Sequence, residues 1–187
     1  MNIGILALQG DVIEHSRIIE KIGARPIDVR LPEDLQHCDA LIMPGGESTT
    51  IGKLMVQYKL DSAIKAFHKR RKPLYGTCAG AILLAKDIIE SNQPRLSLAD
   101  ISIARNDYGR QIDSFEEDIA IKGFTRTFNA VFIRSPVIKS VGDNVEVLAA
   151  YGKSPVLVRQ GTILISTFHP ELTGDTRVHK LFLGMAE

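Results

Sequence analysis

The residue types and spacing best suited to chemistry are a cysteine between two glycines and, much later, a histidine two positions before a glutamate. Cys78 stands in Gly76-Thr77-Cys78-Ala79-Gly80, with glycine two residues away on either side. Lys72 to Tyr75 reads as a short strand, and Ala81 to Ala85 as the body of an apolar helix. The stretch therefore has the form of a strand-nucleophile-helix elbow, with sulfur where many hydrolases carry a serine hydroxyl. Such a turn holds its nucleophile in a strained conformation, and side chains larger than hydrogen at Gly76 and Gly80 would clash there. It also puts Cys78 at a helix N-terminus, where the macrodipole and free backbone N–H groups favour an anion. The same residues would suit a buried core cysteine beside helix-packing glycines, so the rest of the chain has to decide.

A nucleophilic thiol needs a base within reach, and the base needs an orienting partner. Of the five histidines, one has that partner in its local sequence: His169-Pro170-Glu171. Proline biases the residue before it toward extended backbone. In extended backbone, positions i and i+2 face the same way, so imidazole and carboxylate can share one side. His15 and His37 read as surface or helix-face residues, His68 as exposed, and His179 as structural on the last helix. Cys38 reads as a small buried hydrophobe. An acyl-transfer site also needs donors for a developing oxyanion. Gly46, in the unhindered Gly45-Gly46 pair, and the N–H of Ala79 are the candidates.

Other chemistries fall away. A phosphatase loop needs arginine six positions after the cysteine, and Leu84 is there. Gly46 to Lys53 is not a phosphate-binding loop, because the glycine spacing is wrong and Leu54 replaces the hydroxyl residue. No G-x-G-x-x-G follows a strand and no Cys/His cluster has zinc spacing, so neither a cofactor nor a metal is expected.

The elements that must position these groups alternate in the first half. Asn2 to Leu8 is a buried strand. Asp11 with Glu14 suggests a capping box for a helix ending at Gly23. Strands follow at Pro26 to Val29 and Ala40 to Met43, separated by a loop from Leu31 to Gln36. Pro44 to Thr50 breaks the pattern, and helices run over Ile51–Tyr58 and Asp61–Arg70. This order implies a parallel sheet covered by helices, with the loops after Met43 and around Cys78 at strand carboxyl ends, where open α/β sheets place their sites. In the second half, Asp100–Arg105, Gln111–Phe115, Asp118–Lys122, Asn129–Ile133, Val145–Ala149 and Val156–Gln160 alternate between turns such as Asn106-Asp107-Tyr108-Gly109 and read as antiparallel hairpin strands. Thr162 to Phe168 is a last strand and Asp175 to Met185 a last helix.

The chain has 187 residues, is 44% hydrophobic and carries a net charge of +1. That suits one domain spanning 1–187 and calls for neither nucleic acid nor an anionic membrane. The basic run Lys69 to Lys72 reads as a solvated helix end. Two cysteines make no disulfide framework. No segment has the form of a signal peptide or a membrane span. A reducing cytoplasm is the expected setting.

Taken together, the elbow cysteine, the glycine-pair loop and the late His-x-Glu resemble the triad (class I) glutamine amidotransferases. Ala7 to Asp11, Pro44 to Thr50, Gly76 to Gly80, Arg105 to Gln111, Phe132 to Pro136 and Thr167 to Leu172 are similar to the glutaminase subunits of pyridoxal 5′-phosphate synthases. Ser135, where that family leads one to expect alanine, is a small departure. The resemblance implies a three-layer sandwich with a mostly parallel central sheet flanked by helices, plus antiparallel strands in the second half. It implies hydrolysis of L-glutamine to L-glutamate and ammonia by Cys78, His169 and Glu171. Glutamine would be held by Gly46, Glu47, Ser48, Arg105, Ile133 and Arg134. Ammonia would pass to a (β/α)₈-barrel synthase subunit, and activity would depend on that partner. Two other readings stay open: a thiol hydrolase or glutaminase serving another pathway, and a catalytically idle regulatory subunit.

Overall fold

A computed structural model describes residues 1–105 and 114–186. The turn expected at Asn106-Asp107-Tyr108-Gly109 and the start of the Gln111–Phe115 strand lie outside the described residues. The first half contains β1 (Asn2–Leu6), α1 (Val12–Lys21), β2 (Arg25–Val29), β3 (Ala40–Met43), α2 (Ser48–Gln57), α3 (Leu60–Lys69), β4 (Leu74–Thr77) and α4 (Ala79–Leu84). The loop expected before β3 contains a 3₁₀ helix, Pro32–His37. The second half contains β5 (Ala85–Ile88), β6 (Ala99–Ala104), β7 (Ser114–Ile119), β8 (Phe128–Ile133), β9 (Val137–Val141), β10 (Glu146–Tyr151), β11 (Ser154–Gln160), β12 (Ile163–Ser166) and α5 (Arg177–Leu183).

Seven strands form the central sheet in the order β10-β11-β12-β4-β3-β1-β2. The pairings from β12 through to β2 are parallel, and β10 and β11 add antiparallel pairings at one edge. Strand alternation sorts the core into two faces. Ile3, Ile5, Tyr75 and Leu164 pack with Ile19 of α1, Val178 and Phe182 of α5, and Phe128 and Phe132 of β8. Leu6, Leu41, Met43, Leu74 and Ile165 pack the opposite way, against Ile51 and Met55 of α2, Ile64 and Phe67 of α3, and Ile82, Leu83 and Leu84 of α4. This is the expected three-layer arrangement. Cys38 is buried and pairs with no other cysteine. Its sulfur fits because the strand neighbour it faces is Gly4, where a Cβ would collide with Sγ.

The second half departs from simple hairpins. β10 and β11 join the central sheet, while β6 pairs in parallel with β5 and antiparallel with β9. Neither β5 nor β9 was expected. β5 begins at the residue after α4 ends, with no turn residue to announce the switch. β9 is specified by its partner β6. Where two strands were expected at Gln111–Phe115 and Asp118–Lys122, one strand pairs with β8 from Ser114↔Ile133 to Ile119↔Phe128. Continuous pairing prevails there over the local gap in the pattern. The capping box also fails to form: Asp11 makes no side-chain cap bond to α1.

The elbow depends on close approach. α4 leaves β4 so tightly that a Cβ on Gly80 would overlap the carbonyl oxygen of Met43 in β3, and one on Gly76 would press on the Gly80 backbone. Backbone atoms cannot rotate away as a side chain can. Gly80→Ala is therefore expected to destabilise the fold by about 2 kcal/mol or more. In urea titrations this is read as a lower midpoint at unchanged slope. An unchanged midpoint would contradict the packing described.

Candidate active site

The carboxyl ends of β1, β3, β4 and β12 open onto one cleft. β4 and β12 run side by side to their last pair, Thr77 and Ser166, and the Cys78 N–H donates to the Ser166 carbonyl at 2.9 Å. Cys78 then turns at φ 46°, ψ −100° and caps α4. Positive φ at a residue with a side chain is strained, on the order of 1–3 kcal/mol. Three residues past β12, the His169 N–H donates to the Val131 carbonyl of β8 at 2.8 Å. The chain then enters a 3₁₀ turn, Pro170–Leu172. The turn, not the extended backbone expected, brings carboxylate and imidazole together. His169 Nδ1 is 2.7 Å from Glu171 Oε1.

A second carboxylate reaches the same nitrogen, since Asp11 Oδ2 lies 3.3 Å from His169 Nδ1. Tertiary attraction thus takes Asp11 away from the helix cap its sequence position suggests. Burial opposes a charged imidazole. The contacts with Asp11, Cys78 and Glu171 outweigh that and raise His169 to about 12. Burial also raises Glu171 above the usual carboxylate range, opposed by His169. The close atoms of Asp11, His169 and Glu171 lie within 4.8 Å of one another, a spacing that could hold a metal ion. The contacts there are those of an imidazole between two carboxylates.

Behind Glu171 the core is polar. His15 was expected on a surface or helix face, but it is fully buried. Its Nε2 lies 3.2 Å from Thr77 Oγ1 and 3.6 Å from Glu171 Oε2, and its Nδ1 lies 3.0 Å from His179 Nε2. Burial, then the neighbouring His179 and His169, hold His15 well below the usual histidine range. Burial takes His179 down to about 4. Both are therefore neutral at pH 7. Tyr75 and Ser166 extend the network, their hydroxyl oxygens 3.0 Å apart. His68 is half-buried instead of exposed, and His37 is exposed as expected.

The cleft measures about 370 Å³. Its walls include Cys78, His169, Gly46, Ala79, Glu47, Ser48, Arg105, Ile133 and Arg134. The structure thus gathers every residue expected at the site, with Glu171 behind His169. Gly46 adopts φ 151°, and a Cβ there would crowd Gln9 Oε1. That oxygen accepts the Glu47 N–H at 2.7 Å, tying the glycine loop to the end of β1. The Glu47 carboxylate caps α2 by accepting from the N–H groups of Thr49 and Thr50 at 3.1 and 2.7 Å. Arg105 Nη2 reaches Glu47 Oε1 at 3.4 Å. Cys78 Sγ lies 4.0 Å from the Ile133 carbonyl, and Arg134 follows at φ 42°. The Ser135 hydroxyl is buried without a hydrogen-bond partner among the described residues.

Such an arrangement suits acyl transfer: a strained sulfur nucleophile, an imidazole fixed by carboxylate, backbone donors at a helix start and a glycine loop, and a polar cleft beside them. Sequence reasoning missed Gln9, Asp11, His15 and Gln93. Gln9 and Asp11 carried two usable signals, their place just after a parallel strand and within the Ala7 to Asp11 family motif, but neither was given a role at the site. His15 and Gln93 carried none.

Comparisons with known proteins agree with this geometry. A sequence model of the SNO glutamine amidotransferase family matches residues 5–187. The chain is 50% identical to the pyridoxal 5′-phosphate synthase subunit PdxT of Thermosipho africanus, over 100% of both chains. It is 50% identical to the same-named subunit of Thermus thermophilus, over 98% of this chain and 97% of that one. A crystal structure of a glutamine amidotransferase superposes with a TM-score of 0.95 at 49% identity, covering 98% of each chain.

The cap on α2 is expected to titrate. The Thr50 hydroxyl, then the Thr50 and Thr49 N–H groups, lower the Glu47 carboxyl to about 2 against the opposing effect of burial. A carboxyl lowered in the folded state contributes stability above its unfolded value of 4.5, and that contribution is lost as pH falls toward about 2. Glu47→Gln is expected to flatten this part of the stability-versus-pH curve measured by urea unfolding. A variant curve parallel to wild type between those pH values would contradict the cap.

Proposed function

Because the chain belongs to the SNO glutamine amidotransferase family, we propose that it is the glutaminase subunit of a pyridoxal 5′-phosphate synthase. It hydrolyses L-glutamine to L-glutamate and ammonia, and a separate (β/α)₈-barrel synthase subunit consumes the ammonia. The observation that carries the reading is Cys78 at a strained elbow beside a His169 whose Nδ1 is 2.7 Å from Glu171. Full-length likeness to pyridoxal 5′-phosphate synthase subunits favours this pathway over another ammonia acceptor. The assembled nucleophile, base and orienter weigh against an idle regulatory subunit.

In the proposed mechanism the Cys78 sulfur attacks the side-chain amide carbon of glutamine. A C–S bond forms and the carbonyl oxygen becomes an oxyanion, received by the N–H groups of Gly46 and Ala79. His169 holds a proton because carboxylates flank it, and it delivers that proton to the departing nitrogen as the C–N bond breaks. Ammonia leaves and a thioester remains. The now neutral imidazole takes a proton from water, whose oxygen attacks the thioester carbon. The C–S bond breaks, and glutamate departs. Glu171 occupies Nδ1 throughout, which leaves Nε2 to exchange protons. Arg105 and Arg134 suit the substrate α-carboxylate, Glu47 suits its α-ammonium, and Ser48 and the Ile133 carbonyl supply further polar contacts.

The chain is taken to act as one domain, since both faces of its core share the central sheet. A cytoplasmic setting fits its two free cysteines. No helix among the described residues is long and apolar enough to cross a membrane.

Cys78→Ala is expected to abolish ammonia release from glutamine while circular dichroism stays that of the wild type. His169→Ala is expected to lower kcat by roughly 10²–10⁴, and Glu171→Ala by less, because an orienter contributes less than the base. Turnover surviving in Cys78→Ala would overturn the assignment. Glu171→Ala as active as wild type would remove Glu171 from the triad.

A further inference from the structure

Gln93 lies in the connection between β5 and β6, outside every motif that points to the site. It is only 8% exposed. Its Oε1 accepts from three donors: Ser48 Oγ at 3.3 Å, Thr49 Oγ1 at 3.3 Å and Arg105 Nη1 at 3.0 Å. Arginine only donates, so the amide oxygen must face it, and this fixes the orientation of the amide. The amide nitrogen is then left buried without a partner among the described residues. A residue that merely filled space there could be apolar and avoid that cost.

What the contact does for Arg105 follows from counting donors. A guanidinium carries five N–H groups in one plane. Nη1 uses its two on Thr49 Oγ1, at 3.2 Å, and Gln93 Oε1, at 3.0 Å. Nη2 uses one on Glu47 Oε1, at 3.4 Å. Among the described residues, the Nε–H and the second Nη2–H remain. The Nε/Nη2 edge of a guanidinium presents two N–H groups side by side, at a spacing that matches the two oxygens of a carboxylate. Arg105 lines the cleft.

We propose that Gln93 is a positioning residue for substrate recognition, holding Arg105 by Nη1 so that its Nε/Nη2 edge receives the α-carboxylate of glutamine. The inference rests on the reading of this cleft as a glutamine site. It gives Gln93 a defined consequence. A flexible arginine loses side-chain freedom when it binds a ligand, whereas one already fixed has less to lose. Gln93 touches neither the sulfur nor the imidazole, so its effect belongs in substrate binding and not in bond breaking.

The test is a double-mutant cycle of Gln93→Met and Arg105→Lys, measured as glutaminase activity in the complex with the synthase subunit. Gln93→Leu serves as a second variant, and thermal unfolding checks that each variant folds. Gln93→Met is expected to raise KM for glutamine roughly 10-fold, the size of one hydrogen bond to a charged group, with kcat within about 2-fold of wild type. In the Arg105→Lys background the same change is expected to add almost nothing, because Gln93 acts through that guanidinium. Alkylation of Cys78 by iodoacetamide, which has no α-carboxylate, is expected to keep its wild-type rate. Additive KM effects, a fall in kcat alone, or slowed alkylation would overturn the positioning role. If Arg105→Lys raises KM and the Gln93 variants do not, this inference falls and the glutamine site stands. If Arg105→Lys leaves KM unchanged, the reading of the cleft falls with it.

Discussion

The structure depends on one strained residue. Cys78 must leave β4 and start α4 within a single turn, at φ 46° and ψ −100°. Nothing at Cys78 itself favours that backbone. It is imposed by what lies on either side: β4 is held between β3 and β12, and α4 is pressed so closely on the end of β3 that only hydrogen fits at Gly80. α4 is also buried at every residue from Ala79 to Leu84. Burial of Ile82, Leu83 and Leu84 contributes about 1.5–3 kcal/mol for each side chain, more than the strain costs. Core packing thus maintains a reactive geometry that the local chain would not choose.

The same strands that create the turn also aim its partner. β12 ends beside β4, so whatever follows β12 must arrive next to Cys78. The residues that follow are His169 and Glu171. Beneath them lies a layer of neutral, buried polar groups where an apolar core would be simpler. Glu171 is buried against His15, which in turn meets Thr77 and His179. Those neighbours are confined by α1, β4 and α5, so the imidazole orientation is set by three elements distant in sequence. Asp11 adds a carboxylate from the cleft side. The histidine is therefore held from both directions, which is the preorganisation that acid–base catalysis needs.

What the sequence discloses divides along the range of the forces involved. The elbow is legible because its requirements are local: glycines at fixed offsets, a strand before and a helix after. The pairing of His169 with Glu171 is legible because they are two residues apart, although a 3₁₀ turn rather than extended backbone joins them. The three layers follow from strand alternation and helical spacing. The family motifs supply Arg105, Ile133 and Arg134, which single residues could not have marked as more than surface groups. By contrast, His15 and His179 meet across 164 positions, and either alone looks like any helix histidine. Asp11 has the pattern of a helix cap, and only the folded sheet shows that a buried imidazole attracts it more strongly. Gln93 and β9 have no local signature, since each is defined by its partners.

The central claim is that this constellation releases ammonia from glutamine for a partner synthase. The most direct measurement is ammonia release from L-glutamine by the purified chain, with and without the pyridoxal 5′-phosphate synthase barrel subunit. Release that appears or rises strongly when the barrel is added is the predicted result. No release in either condition would contradict the chemistry, and release indifferent to the barrel would contradict the coupling.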